Sequence, residues 1–306
     1  MIVSCGEALI DFLPRDGNGA TAYSPAPGGS PFNVAIAMAR LGASAGFFGG
    51  ISSDFFGDTL RAALAASGVD LAFVADSTRP STLAFVSLAD GDARYAFFDE
   101  ASAGRMLTEA DLPAFPKTVT ALHFGSFSLA EEPCGSALEA LMQREQNDRV
   151  ISLDPNIRAG LIKNRDGYLA RLERLIEMSD IVRISTDDLA WLAPDTDFGE
   201  LAGRWLARGA RLVILTRGGD GATAITATQD VSVPGVPAKV VDTIGAGDTF
   251  TAGILARLAA TGLMSKGAIA ALDATQLTDV LDFATRAAAV TVSRAGANPP
   301  WLRELG

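Results

Sequence analysis

In "VVDTIGAGDTFTAGIL", residues 240–255, the carboxylate of Asp248 follows the turn Gly245-Ala246-Gly247 and opens a stretch of helical character. Glycines let a backbone approach a ligand closely, and the unpaired N–H groups of a helix start point back at such a turn. Together they make an anion hole. A helix N-terminus also favours negative charge of its own, so Asp248 has two readings. Either it caps the helix, or it acts on a group held beside the anion. A carboxylate next to a bound phosphate repels it unless the acid has a task, such as accepting a proton from a nucleophile. Local physics leaves the two readings even.

Other polar clusters offer partners for that chemistry. In "APGGSPFNVAIAMARLGA", residues 26–43, Gly28 and Gly29 make a bend, Pro31 suits a first helical turn and Gly42 suits the helix end. Asn33 faces the bend and offers both a donor and an acceptor, which suits a hydroxyl-rich ligand, although a helix start without a ligand is the commoner reading of this segment alone. In "CGEALIDF", Asp11 is expected at a strand end, where open α/β sheets place ligands; it can bind two sugar hydroxyls or cap a neighbouring helix. In "LDPNIRAG", Arg158 follows a buried-looking strand and reads as a ligand contact or a surface ion pair. In "LTRGGDGA", Thr216, Gly218 and Gly221 form a polar turn after a strand, either an ordinary tight turn or a platform for a phosphate tail.

Several familiar sites are missing. A Walker A loop needs Gly-Lys, and none of Lys117, Lys163, Lys239 and Lys266 follows a glycine. The dinucleotide pattern G-x-G-x-x-G breaks at Phe250. The single histidine, His123, cannot build a His-rich metal site and reads as a packed residue at a strand end. Cys5 and Cys134 lie far apart and read as small buried apolar residues in a reducing compartment. The formal charge of −11 argues against nonspecific nucleic-acid binding, which relies on Lys and Arg at phosphates. The N-terminal "MIVSCGEALIDFLP" has no basic region before its apolar run, and no run of about 18 apolar residues occurs, so a cytoplasmic protein without a membrane span is expected.

The elements that must position these groups follow from the apolar pattern. With 306 residues, 48% of them hydrophobic, the chain can bury a large core. Short apolar runs ("MIVSCG", "AGFFGGI", "TALHFGS", "RVISLDPN", "DIVRIS", "RLVILT") alternate with helical patterns, which predicts an open, mostly parallel α/β sheet flanked by helices. Two segments break that rhythm, at about 12–27 and 80–99. The second alternates apolar residues around Asp90-Gly91, a hairpin signal. Both are expected as strands of a small β lid inserted into a single domain spanning residues 1–306.

Taken together, "GGSPFNVAIAMARLG" and "DTIGAGDTFTAGIL" resemble the PfkB/ribokinase family of carbohydrate kinases over essentially the whole chain. Within that family, "CGEALIDFLPRD", "RPSTLAFV", "YAFFDEASAGRM", "LHFGSFSL" and "RVISLDPNIR" are similar to bacterial fructokinases. The resemblance implies a ribokinase-like fold and transfer of the γ-phosphoryl group of ATP to D-fructose, giving fructose 6-phosphate. It implies Asp248 as general base and Gly245, Ala246 and Gly247 as N–H donors to the transferring phosphoryl group. It implies Asp11, Gly29 and Asn33 at the sugar hydroxyls, Phe97 closing from the lid, and Arg158 at the sugar or phosphate end. Thr216, Gly218 and Gly221 would border the nucleotide.

The chain also departs from the family pattern. Many relatives carry N-x-x-E after the strand matching "DIVRIS"; here the residues are Ser185-Thr186-Asp187-Asp188. Asp188 can still act on Mg²⁺ through water, with Ser185 in the place of the Asn on the nucleotide side. Thr285 stands where an Asn near the adenine is often found. Asp242 and Ile244, with carbonyls near Thr291, Arg294 and Gly296, match the place where relatives often bind K⁺. The implied ligands are thus ATP, Mg²⁺ and a neutral sugar, with K⁺ as an option and a homodimer through exposed lid edges as a further one. Alternatives are another sugar, a sugar acid such as 2-keto-3-deoxygluconate, a nucleoside, or a binding protein without catalysis. A sugar acid would want a basic cluster; the lid offers Arg94 and Arg105, but "FFDE" brings acids.

Overall fold

The computed structural model describes residues 1–17, 20–89 and 92–306. The core sheet uses strands β1 (Ile2–Cys5), β4 (Ala45–Phe48), β9 (Ala121–Gly125), β10 (Val150–Asp154), β11 (Ile181–Ser185), β12 (Leu212–Thr216), β13 (Ala222–Ile225) and β14 (Asp230–Val233). Their spatial order is β14-β13-β12-β11-β10-β9-β1-β4, parallel from β4 to β12 and antiparallel at β13 and β14. Nearly every residue of β1, β4, β9, β10, β11 and β12 is buried, because helices cover both faces. That is why these strands read as continuous apolar runs rather than alternating ones.

Helices α1 (Ser30–Arg40), α7 (Ala246–Ala260) and α9 (Ala274–Val292) pack on one face, through Val34, Met38, Phe250, Leu258, Leu281 and Ala284. Helices α3 (Cys134–Glu145), α4 (Arg165–Glu177) and α6 (Phe198–Ala207) pack on the other, through Leu138, Leu141, Leu172, Ile176 and Trp205. Helices α2 (Phe55–Ala66), α5 (Thr186–Leu192) and α8 (Lys266–Ala270), with the short parallel pair β5 (Gly50–Ser52) and β6 (Ala75–Ser77), complete the frame. Contact between α7 and α9 is close: a Cβ at Gly253 would lie 2.7 Å from Cα of Ala284.

A second sheet, in the order β3-β2-β7-β8, is built from β2 (Leu9–Gly17), β3 (Ala20–Gly28), β7 (Thr82–Ala89) and β8 (Asp92–Phe98). This is the lid expected from the break in helical rhythm. The Asp90-Gly91 turn lies outside the described residues. Along β2, side chains alternate between faces. Phe12 stacks on Phe85 with ring centroids 4.5 Å apart on one face, while Leu9, Asp11 and Leu13 face a cavity on the other.

Two expectations are corrected here. Asp11, expected at a strand end, lies within β2. The run "ALIDF" instead belongs to the lid, because β1 stops at Cys5, the chain turns, and β2 pairs with β3 and β7. His123 is in the middle of β9 rather than at a strand end, and is fully buried. Its Nδ1 lies 3.1 Å from Oγ of Ser152. Burial, and then the charge of Arg183, push its pKa down to about 3, so it is a neutral packing residue.

Candidate active site

A cavity of about 750 Å³ opens at the carboxyl ends of β1, β9, β10 and β11, under the lid. The sheet order reverses beside β1, and open α/β sheets bind ligands at such a switch point. Asp11, Gly29, Asn33, Phe97, Arg158, Ser185, Asp188, Ile244, Gly245, Gly247 and Asp248 all line this one cavity. Residues far apart in the chain thus meet around one cavity: the polar side chains of Asp11 and Asn33, the carboxyl of Asp248 and the glycine-opened start of a helix.

Helix α7 begins after Gly245, which holds φ +75°, a left-handed conformation that favours glycine. A Cβ there would also lie 2.7 Å from Cβ of Ala297. No side chain caps this helix. Asp248 points away from the cap position: its Oδ1 accepts from Ser30 Oγ at 2.6 Å and its Oδ2 from Asn33 Nδ2 at 2.8 Å. The cap reading therefore loses, and Asp248 bridges α7 to the start of α1 inside the cavity. Burial raises its pKa, opposed by the donors Ser30 and Asn33 and by the charges of Arg158 and Arg183. Of the turn amides, Ala246 N–H donates to the Thr243 carbonyl at 3.2 Å. Ala246 does not line the cavity, unlike Gly245 and Gly247.

The lid closes the opposite side. Phe97 on β8 packs against Phe127 with ring centroids 5.5 Å apart, joining lid to core. Burial raises the pKa of Asp11 to about 6, with the Arg158 charge opposing. Gly28 leaves room for its carboxylate, since a Cβ there would lie 2.4 Å from Asp11 Oδ2.

Several cavity residues went unread in the sequence. Glu7, almost fully buried, receives the Ser30 N–H at 3.1 Å, and its other oxygen has no hydrogen-bond partner. Burial raises its pKa, against the hydroxyls of Ser128 and Ser126. Arg183 lies behind the glycine turn and donates to Asp154 Oδ2 at 3.0 Å and to Thr216 Oγ1. Thr251 also donates to Asp154, at 3.0 Å, and burial lifts that carboxyl to about 6 against the pull of Arg183. An Arg inside the apolar run "DIVRIS" was the available signal, since a cation in a buried strand needs a partner.

Other expected residues lie elsewhere. Thr216, Gly218, Gly221 and Thr285 do not line the cavity. Thr216 is buried beside Arg183, and Thr285 donates its hydroxyl to the Leu281 carbonyl within α9. Gly221 is required sterically, because a Cβ would meet the Val233 carbonyl at 2.0 Å. The group proposed around K⁺ is drawn together by Asp242, whose oxygens accept from Ile244 N–H at 3.0 Å and Gly296 N–H at 2.8 Å. Thr291 ties this loop to α7 through a 3.0 Å bond to Thr249, whereas the Arg294 guanidinium pairs with Glu304.

The Mg²⁺ expectation at Asp188 meets a constraint. Its Oδ1 accepts from Ile157 N–H at 2.8 Å, and its Oδ2 accepts from Ser185 N–H at 2.8 Å and Ser185 Oγ at 2.6 Å. That carboxylate is committed to holding a loop. Asp187, exposed and lining the cavity, is the neighbouring acid with access to solvent. Among the described residues no cluster of three or more His, Cys, Asp or Glu could hold a metal.

The model of the family described as pfkB family carbohydrate kinase matches residues 1–304. The chain belongs to this family. It is 51% identical over 274 residues to a fructokinase of Rhizobium leguminosarum bv. trifolii, covering 89% of this chain and 84% of that one. A fructokinase with bound ATP from Xylella fastidiosa superposes with TM-score 0.92 at 29% identity, over 99% of this chain and 96% of that one. A fructokinase double mutant from Vibrio cholerae O395, in a form with fructose, ADP and potassium ion bound, superposes with TM-score 0.84 at 27% identity, over 97% and 93%. The fold is therefore ribokinase-like, as in these kinases.

Proposed function

We propose that this carbohydrate kinase is an ATP-dependent fructokinase, transferring the γ-phosphoryl group of ATP to D-fructose with Asp248 as general base. The observation that carries the reading is the placement of Asp248. It is a buried carboxyl, uncommitted to capping, between hydroxyl-binding side chains and a glycine-opened helix start. Phosphoryl transfer needs positioning and charge stabilisation more than covalent chemistry. Asp11 and Asn33 hold sugar hydroxyls, and Asp248 takes the proton of the attacking one. The Gly247 N–H and the Arg183 guanidinium, both at the cavity, receive phosphoryl charge. Phe97 and the lid keep out water, which otherwise competes as acceptor.

When bound, Mg²⁺ supplies charge neutralisation at the nucleotide phosphates, with Asp187 and Asp188 as the acids on that side. A K⁺ site among the carbonyls around Asp242 and Gly296 is part of the same proposal, supported by the potassium in the Vibrio cholerae relative. So is a homodimer through the lid, whose edge strands β3 and β8 carry the exposed Tyr23 and Phe98. The cavity favours a neutral sugar over a sugar acid, because Glu7, Asp11 and Asp248 face it. The test is ADP release from Mg²⁺-ATP across a panel of hexoses, sugar acids and nucleosides. Fructose should stimulate release most; no stimulation by fructose overturns the assignment.

A further inference from the structure

We propose that Asn156 is a positioning residue for the transfer step. A one-way hydrogen-bond chain from Arg158 through Asn156 and Ser30 holds Oδ1 of Asp248 and reserves Oδ2 to take the sugar proton. This rests on the reading of Asp248 as base and deepens it.

Each link has a defined donor. Arg158 Nη1 donates to Asn156 Oδ1 at 2.6 Å. A guanidinium has no acceptor, so this bond fixes which end of the amide faces Arg158. Asn156 Nδ2 then donates to Ser30 Oγ at 2.9 Å. Ser30 has one hydroxyl proton, and it goes to Asp248 Oδ1 at 2.6 Å. The two oxygens of the base are thereby unequal. Oδ1 is held by a hydroxyl that is itself held, while Oδ2 has the Asn33 amide, from the residue expected at the sugar. An incoming hydroxyl exchanges with Asn33 more readily than with the three-link chain.

The loop carrying Asn156 is built to place this amide. Asn156 holds φ +40°, a left-handed conformation strained for most side chains and tolerated by Asn. Asp154 Oδ1 accepts its N–H at 3.2 Å, and Asp188 Oδ1 accepts the next N–H, of Ile157. Strain held by such surroundings is a mark of functional loops. It also gives Asp188 a task that needs no metal.

The experiment compares the parent with Asn156→Gly, Ser30→Ala, the double variant and Asp248→Asn, with fructose and Mg²⁺-ATP. Glycine keeps the left-handed backbone and removes only the amide. The expected result for Asn156→Gly is a fall in kcat on the order of tenfold, with KM for ATP held within about twofold. The acid limb of kcat against pH should move upward, because Asp248 loses support for its charged form. The other charged groups around Asp248 are Arg158, Arg183 and Asp154, with Glu7 and Asp11 in the same cavity; none is substituted, and Arg158 keeps its bond to the backbone carbonyl of residue 156. Ser30→Ala should shift the limb in the same direction, and the double variant should match Ser30→Ala alone, since a chain broken once is broken.

An unmoved limb and parent-like kcat in Asn156→Gly, or effects that add in the double variant, would overturn the proposal. If Asn156→Gly does not fold, Asn156→Asp serves: it keeps an acceptor for Arg158, removes the donor and draws the Ser30 proton from Asp248. Its kcat should fall further; parent-like kcat overturns the chain. Turnover retained in Asp248→Asn would instead refute the base reading itself.

Discussion

Replacing Asp248 with Asn should abolish most turnover and leave the protein as stable as before or more so. The Ser30 hydroxyl that meets Oδ1 at 2.6 Å finds the same oxygen in the amide. The Asn33 amide, which donates to Oδ2 at 2.8 Å, meets a new donor and turns over to accept from it. Neither hydrogen bond is lost. What disappears is a buried charge: burial is the largest influence on this carboxyl and raises its pKa. A carboxyl raised on folding binds its proton more tightly folded than unfolded, so it destabilises increasingly as pH rises above its unfolded value of about 4. Its removal should therefore lift Tm at pH 7 by on the order of 1–3 °C, or leave it unchanged. A general base contributes about 10²–10⁴ in rate, so kcat should fall by that factor, about 2.7–5.5 kcal/mol in the barrier. A coupled ADP assay with fructose, beside differential scanning calorimetry, reads both quantities. Turnover within tenfold of the parent would refute the base role. A large drop in Tm would refute the claim that desolvation outweighs the two hydrogen bonds.

Further outcomes follow from the same geometry. Arg183→Met leaves Asp154 buried without its cation and should lower Tm by roughly 6–10 °C; adding Asp154→Asn should recover most of it, and a single variant as stable as the parent contradicts the pairing. In Gly247→Ala the new Cβ falls 3.1 Å and 3.2 Å from the guanidinium nitrogens of Arg183. Displacing that cation should reduce kcat/KM for ATP on the order of tenfold with little change in Tm, and an unchanged value removes Arg183 from the phosphate end. Because Asp11 sits at about 6 and Asp248 is raised, and both act ionised, kcat/KM for fructose should rise with pH through a limb near 6 or above. A limb at the ordinary carboxylate value of about 4 contradicts this.

Much of the frame was legible along the chain. Buried strands announced themselves as continuous apolar runs, and Pro31 with the preceding glycines marked the start of α1 within one residue. The break in helical rhythm located both pairs of lid strands. Boundaries between lid and core were less visible, since "ALIDF" is as apolar as a core strand and only its pairing with β3 and β7 assigns it. The turn after β12 reads along the chain either as an ordinary tight turn or as a phosphate platform. It is glycine-rich partly because the Val233 carbonyl leaves no room at Gly221, a contact from another strand.

By itself the sequence determined the alternation of elements, the glycine turn before α7 and the presence of an acid beside it. These depend on local backbone preference and on periodicity, which neighbouring residues carry. The partners of that acid were decided only in three dimensions. Asp248 meets Ser30 across 218 positions and Asn33 across 215, Asn156 reaches Ser30 across 126, and Thr251 reaches Asp154 across 97. A helix cap and a buried base look alike along the chain, because a carboxylate in a first turn suits either. They differ in where the oxygens point. That direction is set by packing α7 against α1 over the sheet, which no local pattern encodes.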